Sequence, residues 1–231
     1  MTLFTDPKLD LIAVIWFFVL IGGYRAIAER SSLERSSIVA AVQNHRVSWM
    51  LNMSARENRI LDGVLLGHLT QGNAFFASTS VIAVGGLAAL LGSGEKVQAM
   101  LERLPFVGQS QAWIWETKIL LMMAIFIYAF FKFAWATRLS HYTAIMIGST
   151  PIAGETNQAE CATHAHDTAE LIGIAADHSN SGIRSFYYAI AALAWFVHPL
   201  AFMAATTWVI FILTRRDFFS RSLAILSRRG S

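Results

Sequence analysis

Four windows of the sequence are rich in apolar residues and poor in charge, so each is a candidate for crossing a lipid bilayer. Two of them, 63–94 and 185–214, carry no charged residue, whereas the uncharged run 11–24 of the first covers only ~21 Å at the helical rise. About 20 apolar residues in helical form span the hydrocarbon layer, because a helix rises ~1.5 Å per residue. We therefore predict an all-α, polytopic membrane protein with about four transmembrane helices in one domain, residues 1–231. The predicted spans are about 9–26, 70–92, 113–136 and 186–213, with helical extensions outside the bilayer at 30–60 and 155–180.

The third window carries the clearest signal for a membrane span. Tryptophans stand outside Lys118 and Lys132, at the spacing expected for the two interfaces of a bilayer. The two lysines are about four helical turns apart and share one face of the helix. They are either snorkelling anchors or a cation site or anion path inside a bundle, and the nearby tryptophans favour anchors.

The fourth window contains His198 and Pro199 near its middle. A proline there is expected to kink the helix, because it lacks the amide hydrogen that bonds the preceding turn. An ionisable imidazole at this depth is expected to relay protons, to bind a ligand, or to bond a loosened carbonyl. His198 is therefore the preferred intramembrane polar candidate, ahead of Lys118 and Lys132.

Small residues recur along the second window. Gly63 and Gly67 form a GxxxG pattern, and Gly85 and Gly86 follow further along. Because small residues let helix backbones approach closely inside a membrane, we predict that these glycines pack against another helix.

The first window has two interpretations. Ala26-Ile27-Ala28 resembles the cleavage site of a signal peptide, but the preceding segment lacks net positive charge and Arg25 intrudes before the small residues. We therefore expect an uncleaved span. Orientation stays open, because four spans would place nine lysines and arginines on each side. The basic segment after the first span favours an N-terminus outside.

Composition narrows the class of protein. The chain is 55% hydrophobic and 14% charged, and its net charge is only +3 without a basic run interleaved with aromatics. Nucleic acid is therefore not an expected partner. The sequence lacks a phosphate-binding glycine loop, a nucleophile elbow and a zinc-protease motif, so we predict neither catalysis nor catalytic residues.

Histidines and the single cysteine raise the question of a metal or a cofactor. Cys161, His164 and His166 are close in sequence, but Cys161 and His166 point to different faces of a helix, so a polar helix surface is preferred to a zinc site. A bis-histidine haem would need His68 and His198, which are predicted to lie at different membrane depths. We therefore predict no metal and no cofactor.

A dense charged cluster precedes the second span. Its members are Arg56, Glu57, Arg59 and Asp62. They are expected to form a solvated helix face, or to dock a lipid headgroup or a partner protein.

Several segments together resemble a family of bacterial and plant integral membrane proteins known only as domain of unknown function 599. The matching segments are RENRILDG at 56–63, FFASTS at 75–80, GGLAALLG at 85–92, FFKFAWATRLSHY at 130–142, IGSTP at 147–151 and GIRSFYYAIAALAWF at 182–196. The resemblance implies a multi-span helical membrane protein. It implies no activity, cofactor or catalytic residue.

These observations lead to one expected function and one alternative. We expect a non-enzymatic, packed and oligomeric component of the inner (plasma) membrane that passes ions or a small solute. The bilayer is its expected environment, and copies of itself or other membrane subunits are its expected partners. The alternative is an accessory subunit of an electron-transfer complex that contacts a quinone or a haem.

Overall fold

A computed structural model describes residues 7–30, 37–93, 111–154 and 156–227. The all-α prediction is confirmed, because the described residues form helices and no strand. The helices are α1 (Pro7–Arg30), α2 (Ile38–Ser54), α3 (Ile60–Gly92), α4 (Ala112–Ser149), α5 (Gln158–Leu193), α6 (Pro199–Phe218) and α7 (Arg221–Leu226), and a 3₁₀ turn, Ala194–Phe196, follows α5.

Three of the described helices are long and apolar enough to cross a membrane: α1 over Pro7–Ile27, α3 and α4. The 33 residues of α3 and the 38 residues of α4 rise ~50 Å and ~57 Å. Both helices are therefore longer than the ~30 Å hydrocarbon layer and extend beyond it.

Two hydrophobic cores hold opposite ends of the bundle. The first joins α1, the end of α3, the start of α4, the end of α5 and α6, around Phe17, Ile119, Trp195 and Phe202. The second joins α2, the start of α3, the end of α4 and the start of α5. Its buried members are Met50, Met53, Leu66, Ile147, Ala165, Ala169 and Ile172. Consecutive helices among α3, α4 and α5 therefore run antiparallel.

The fourth predicted span, 186–213, is not one helix. α5 ends at Leu193, and α6 begins at Pro199 after His198, whose Nδ1 accepts from the amide of Leu200 at 3.2 Å. The proline needs no bond to a preceding turn at the start of a helix, so it begins a new helix instead of kinking an old one. The Arg184 guanidinium lies 3.0 Å from Asp217, although 33 residues separate them. A continuous helix would hold these residues ~50 Å apart, so the chain reverses direction.

The glycines predicted to pack α3 against a neighbour lie on its exposed face. A Cβ at Gly63, Gly67, Gly85 or Gly86 would meet no described atom within 4 Å. None of the four therefore packs against a described helix of the same chain, and their packing against a helix of another chain stays a prediction. The close helix contact is at Gly182, where a Cβ would lie 2.6–2.8 Å from ring carbons of Phe133. Phe133 is fully buried and stacks on Phe76 with ring centroids 5.3 Å apart, so its ring has no room to move away.

Replacing Gly182 with alanine is expected to lower the free energy of unfolding by about 1–3 kcal/mol, as overpacking of a filled core does. The matched control is Gly23→Ala on α1, which adds a methyl group to an exposed helix position outside the glycines predicted to pack and is expected to be neutral or slightly stabilising. Thermal unfolding of both variants in detergent measures the difference. Equal melting temperatures for the two variants would contradict the close α4–α5 contact.

Candidate functional site

A buried charge cluster, called here the Asp10 cluster, lies where α1, α4 and the 3₁₀ turn meet. It consists of Asp10, Lys118 and Trp195, which are 2–3% exposed. The Trp195 Nε1 donates to Asp10 Oδ1 at 2.6 Å, and the Lys118 Nζ lies 5.5 Å from the centroid of the Trp195 ring. Lys118 therefore does not snorkel to a lipid-facing surface. It lies inside the bundle, where Asp10 is its opposing charge.

The second carboxylate oxygen of Asp10 has no hydrogen-bond donor within the part of the chain that the structure describes. Oδ2 is buried and accepts no bond from a described residue, and the nearby indole Nε1 of Trp115 likewise finds no described acceptor. A buried polar atom without a bond costs about 1–3 kcal/mol. The Asp10 cluster therefore has unused capacity for a proton or a hydrogen-bonding ligand.

A second buried cluster, called here the Asp217 cluster, joins α1, α5 and α6 at the other end of the α1–α6 pair. Asp217 accepts from the hydroxyl of Tyr24 at 2.6 Å, from Arg184 at 3.0 Å and from Arg216 at 3.0 Å. Arg184 also lies 5.2 Å from the centroid of the Tyr24 ring. Asp217 is 3% exposed and Arg184 is 8% exposed, so the cluster faces the interior of the bundle.

An apolar layer separates the two clusters. The Phe17 ring lies 5.1 Å from Phe202 and 6.3 Å from Tyr188, and Phe202 stacks on Trp195 at 5.2 Å. Asp10 and Tyr24 are 14 positions apart on α1, which corresponds to ~21 Å of helix. Aromatic rings of α1, α5, α6 and the 3₁₀ turn therefore lie between the two clusters.

Lys132 belongs to neither cluster. Its Nζ lies 3.3 Å from Nδ1 of His178 on α5 and 5.4 Å from the centroid of the Tyr128 ring. Burial lowers the pKa of His178, and the charge of Lys132 lowers it further. The imidazole is therefore neutral at pH 7 and accepts from the ammonium. The structure does not bring Lys118 and Lys132 together, although they share one face of α4.

His198 lies at the reversal between α5 and α6, where it caps α6, and not in the middle of a span. It contacts neither predicted lysine. His68 lies near the start of α3 beside Trp49 and Leu65, at the other end of the bundle. The two histidines are therefore not placed to ligate a common haem.

The cysteine and histidines of the C-x-x-H-x-H segment have separate surroundings. Cys161 is buried, and its thiol donates to the carbonyl of Pro151 at 3.9 Å. The His164 Nε2 lies 2.9 Å from the carbonyl of Met146, and His166 is exposed. Among the described residues, no group of three or more histidines, cysteines or carboxylates is arranged to hold a metal.

The charged cluster at the start of α3, Arg56, Glu57, Arg59 and Asp62, joins the turn before α3 to the turn after α4. Asp62 is fully buried and accepts from the indole of Trp49 at 2.7 Å and from Arg56 at 3.3 Å. Arg59 donates to the carbonyl of Thr150 and, at 2.9 Å, to that of Pro151 in the turn after α4. The segments RENRILDG and IGSTP therefore meet in space. Asp62 and Arg59 therefore stabilise the contact between these segments and do not form a solvated helix face.

Sequence reasoning did not single out Asp10 or Asp217 as site residues. Asp10 lies near Lys8 at the start of one apolar run, and Asp217 follows Arg215 and Arg216 at the end of another. Each therefore resembled an ordinary charged residue at a membrane interface. Only the packing of distant helices places them inside. Asp10 lies directly before the uncharged run 11–24, at its boundary, so no local pattern signals its burial.

An all-α chain with three helices long and apolar enough to cross a bilayer, and with charged residues buried inside its bundle, has the features of a helical membrane protein. The model of the family described as "Protein of unknown function, DUF599" matches residues 12–222. The chain belongs to this family, as the resemblance implied. No curated protein and no solved structure matches the chain.

Proposed function

We propose that the chain lies in the plasma membrane and crosses it five times. Its N-terminus is then outside the cell and its C-terminus in the cytoplasm. The direction of the helices supports this topology. α1 and α6 run parallel, since Asp10 lies beside Trp195 and Tyr24 beside Asp217. The last part of α5 and all of α6 are then two crossings joined by the reversal at 194–198.

The distribution of positive charge supports the same topology. Four spans would divide the lysines and arginines equally, but the reversal moves the C-terminal arginines to the other side. Among residues with described side chains, the Asp10 end holds Lys8 and Lys118. The Asp217 end holds Arg25, Arg46, Arg56, Arg59, Lys132, Arg138, Arg184, Arg215, Arg216 and Arg221. An excess of positive charge marks the cytoplasmic side.

We further propose that the protein is a non-enzymatic membrane component that exchanges protons at the Asp10 cluster. The observation that carries this proposal is the buried carboxylate of Asp10, which has one oxygen bonded to Trp195 and one open, beside a buried ammonium. Ionisable groups turned toward the interior of a membrane bundle are rare and mark ion or substrate pathways. The aromatic layer below Asp10 is then the closed state of the path to the Asp217 cluster.

Proton flux into vesicles tests this function. The purified chain, reconstituted in proteoliposomes with a trapped pH dye, is expected to dissipate an imposed pH gradient faster than empty vesicles. Asp10→Asn is expected to lower that rate at least about tenfold, since an amide does not take up the proton. Glu116→Gln, which removes an exposed carboxylate near the same end, is the matched control and is expected to keep the rate. A rate equal to that of empty vesicles, or an unchanged rate in Asp10→Asn, would contradict the proposal.

Oligomerisation stays a prediction. The exposed glycines of α3 meet the steric condition for close packing against a helix of another chain. The electron-transfer alternative gains no support from the described histidines, because His68 and His198 lie at opposite ends of the bundle.

A further inference from the structure

A polar cavity of about 210 Å³ lies between α2, α3, α4 and α5, beyond the Asp217 end of the membrane part. One water needs roughly 10–15 Å³ of such space, so the cavity has room for many waters or for a small organic ligand. Its polar lining comprises Arg46, Thr70, Asn73, Ser140, Thr143, Ser179 and Asn180. This site is separate from both buried charge clusters.

The hydroxyl groups of three lining residues already donate their hydrogens in bonds within the protein. Ser140 donates to the carbonyl of Ala136 at 2.8 Å, and Thr143 donates to that of Leu139 at 3.0 Å. Ser179 donates to Oδ1 of Asn73 at 2.6 Å. A hydroxyl oxygen that donates its hydrogen keeps lone pairs. These oxygens therefore present acceptors, and they select a ligand that carries a donor.

Arg46 supplies the cation of the cavity. One of its N–H groups bonds Oε1 of Gln43 at 3.0 Å, and Gln43 is itself held by the carbonyl of Ala169 at 3.0 Å. A guanidinium has five N–H donors, so four remain. Burial lowers the pKa of Arg46, and the charge of Asp177 opposes that shift. A guanidinium keeps its charge in proteins.

The position of Asp177 leaves the cavity side of Arg46 open to an anion. Asp177 lines a second cavity with Arg46, together with Gln43 and Glu170, and it does not line the 210 Å³ cavity. Arg46 therefore stands between an acidic cavity and a neutral polar one. A planar guanidinium fork matches a carboxylate in a bidentate geometry.

We propose that the cavity between α2, α3, α4 and α5 binds a small carboxylic acid that carries a hydroxyl or amino group. Its carboxylate bonds Arg46, and its hydroxyl or amine donates to the oxygens of Ser140, Thr143 and Ser179. The amide nitrogens of Asn73 and Asn180 supply further donors to the carboxylate.

Calorimetric titration of the detergent-purified full chain tests the site with glycolate, glycine, acetate and inorganic phosphate. Glycolate or glycine is expected to bind at least about tenfold more tightly than acetate, because acetate leaves the hydroxyl acceptors unfilled. Equal affinity for acetate, tighter binding of phosphate, or no binding of any probe would overturn the proposal.

Two variants test whether Arg46 binds the carboxylate. Arg46→Gln is expected to weaken glycolate binding about tenfold to a hundredfold, as loss of a bond to a charged group does. Arg138→Gln removes an exposed arginine of α4 outside the cavity, and it is expected to change nothing. If Arg46→Gln does not fold, Thr143→Val serves instead, and it is expected to reduce the preference for glycolate over acetate. Unchanged binding in the folded variant would contradict the assignment.

Discussion

Replacing Asp217 with alanine is expected to destabilise the protein by about 3–5 kcal/mol, the range for breaking a buried ion pair by removing one partner. The variant would leave the Arg184 guanidinium, 8% exposed, without its carboxylate, and would also remove the acceptor of the Tyr24 hydroxyl. α1, α5 and α6 would lose a polar contact that all three share. Chemical unfolding in detergent, followed by circular dichroism, measures the loss.

Two further variants show whether the loss of stability comes from the buried ion pair or from the removal of any negative charge. Asp167→Ala removes an exposed carboxylate of α5 and is expected to change the unfolding free energy by less than about 0.5 kcal/mol. Asp217→Asn keeps an acceptor oxygen and is expected to fall between the two. A stability of Asp217→Ala equal to that of Asp167→Ala would show that the Arg184–Asp217 contact does not hold the helices together.

A cysteine at Val197 is expected to react with a membrane-impermeant maleimide from outside the cell. Val197 is 42% exposed and lies at the reversal between α5 and α6, which our topology places at the outer surface. If 186–213 were one crossing, position 197 would lie in the hydrocarbon layer and would not react. The native Cys161 is replaced by alanine in this experiment, so that one thiol is measured.

Ser222→Cys is the matched control for Val197→Cys. Ser222 is exposed on α7, which lies beside α2 at the Asp217 end, where the His45 Nε2 lies 3.0 Å from the carbonyl of Leu226. It is expected to react only after the cells are permeabilised. Labelling of both positions from the same side would contradict the reversal.

Apolar composition was sufficient to predict the helical class and three of the four windows. A long uncharged run has few stable forms in a bilayer other than a helix, because every backbone amide and carbonyl must be bonded internally. The reversal at 194–198 was not predictable in this way. Its turn is apolar and carries no glycine, so only His198-Pro199 marked it, and that pair also suits a kinked helix.

The candidate site depended on contacts that no local pattern shows. Lys118 satisfied the spacing expected of an anchor, but its burial is set by Asp10 on α1 and Trp195 after α5. The four glycines of α3 have no neighbour within the described chain for a related reason. A GxxxG pattern shows where a neighbour can approach, and the order of the helices decides whether one does. Gly182 has no such pattern, but it receives the Phe133 ring.

Two reporters, each fused in turn to Met1 and to Ser231, test the five-crossing topology most directly. Alkaline phosphatase is active outside the cytoplasm, and a fluorescent protein that folds only in the cytoplasm is its complement. We expect phosphatase activity at the N-terminal fusion and fluorescence at the C-terminal fusion, because an odd number of crossings separates the two ends. Finding both ends on one side of the membrane would contradict the reversal, the charge asymmetry and the placement of the Asp10 and Asp217 clusters at opposite surfaces.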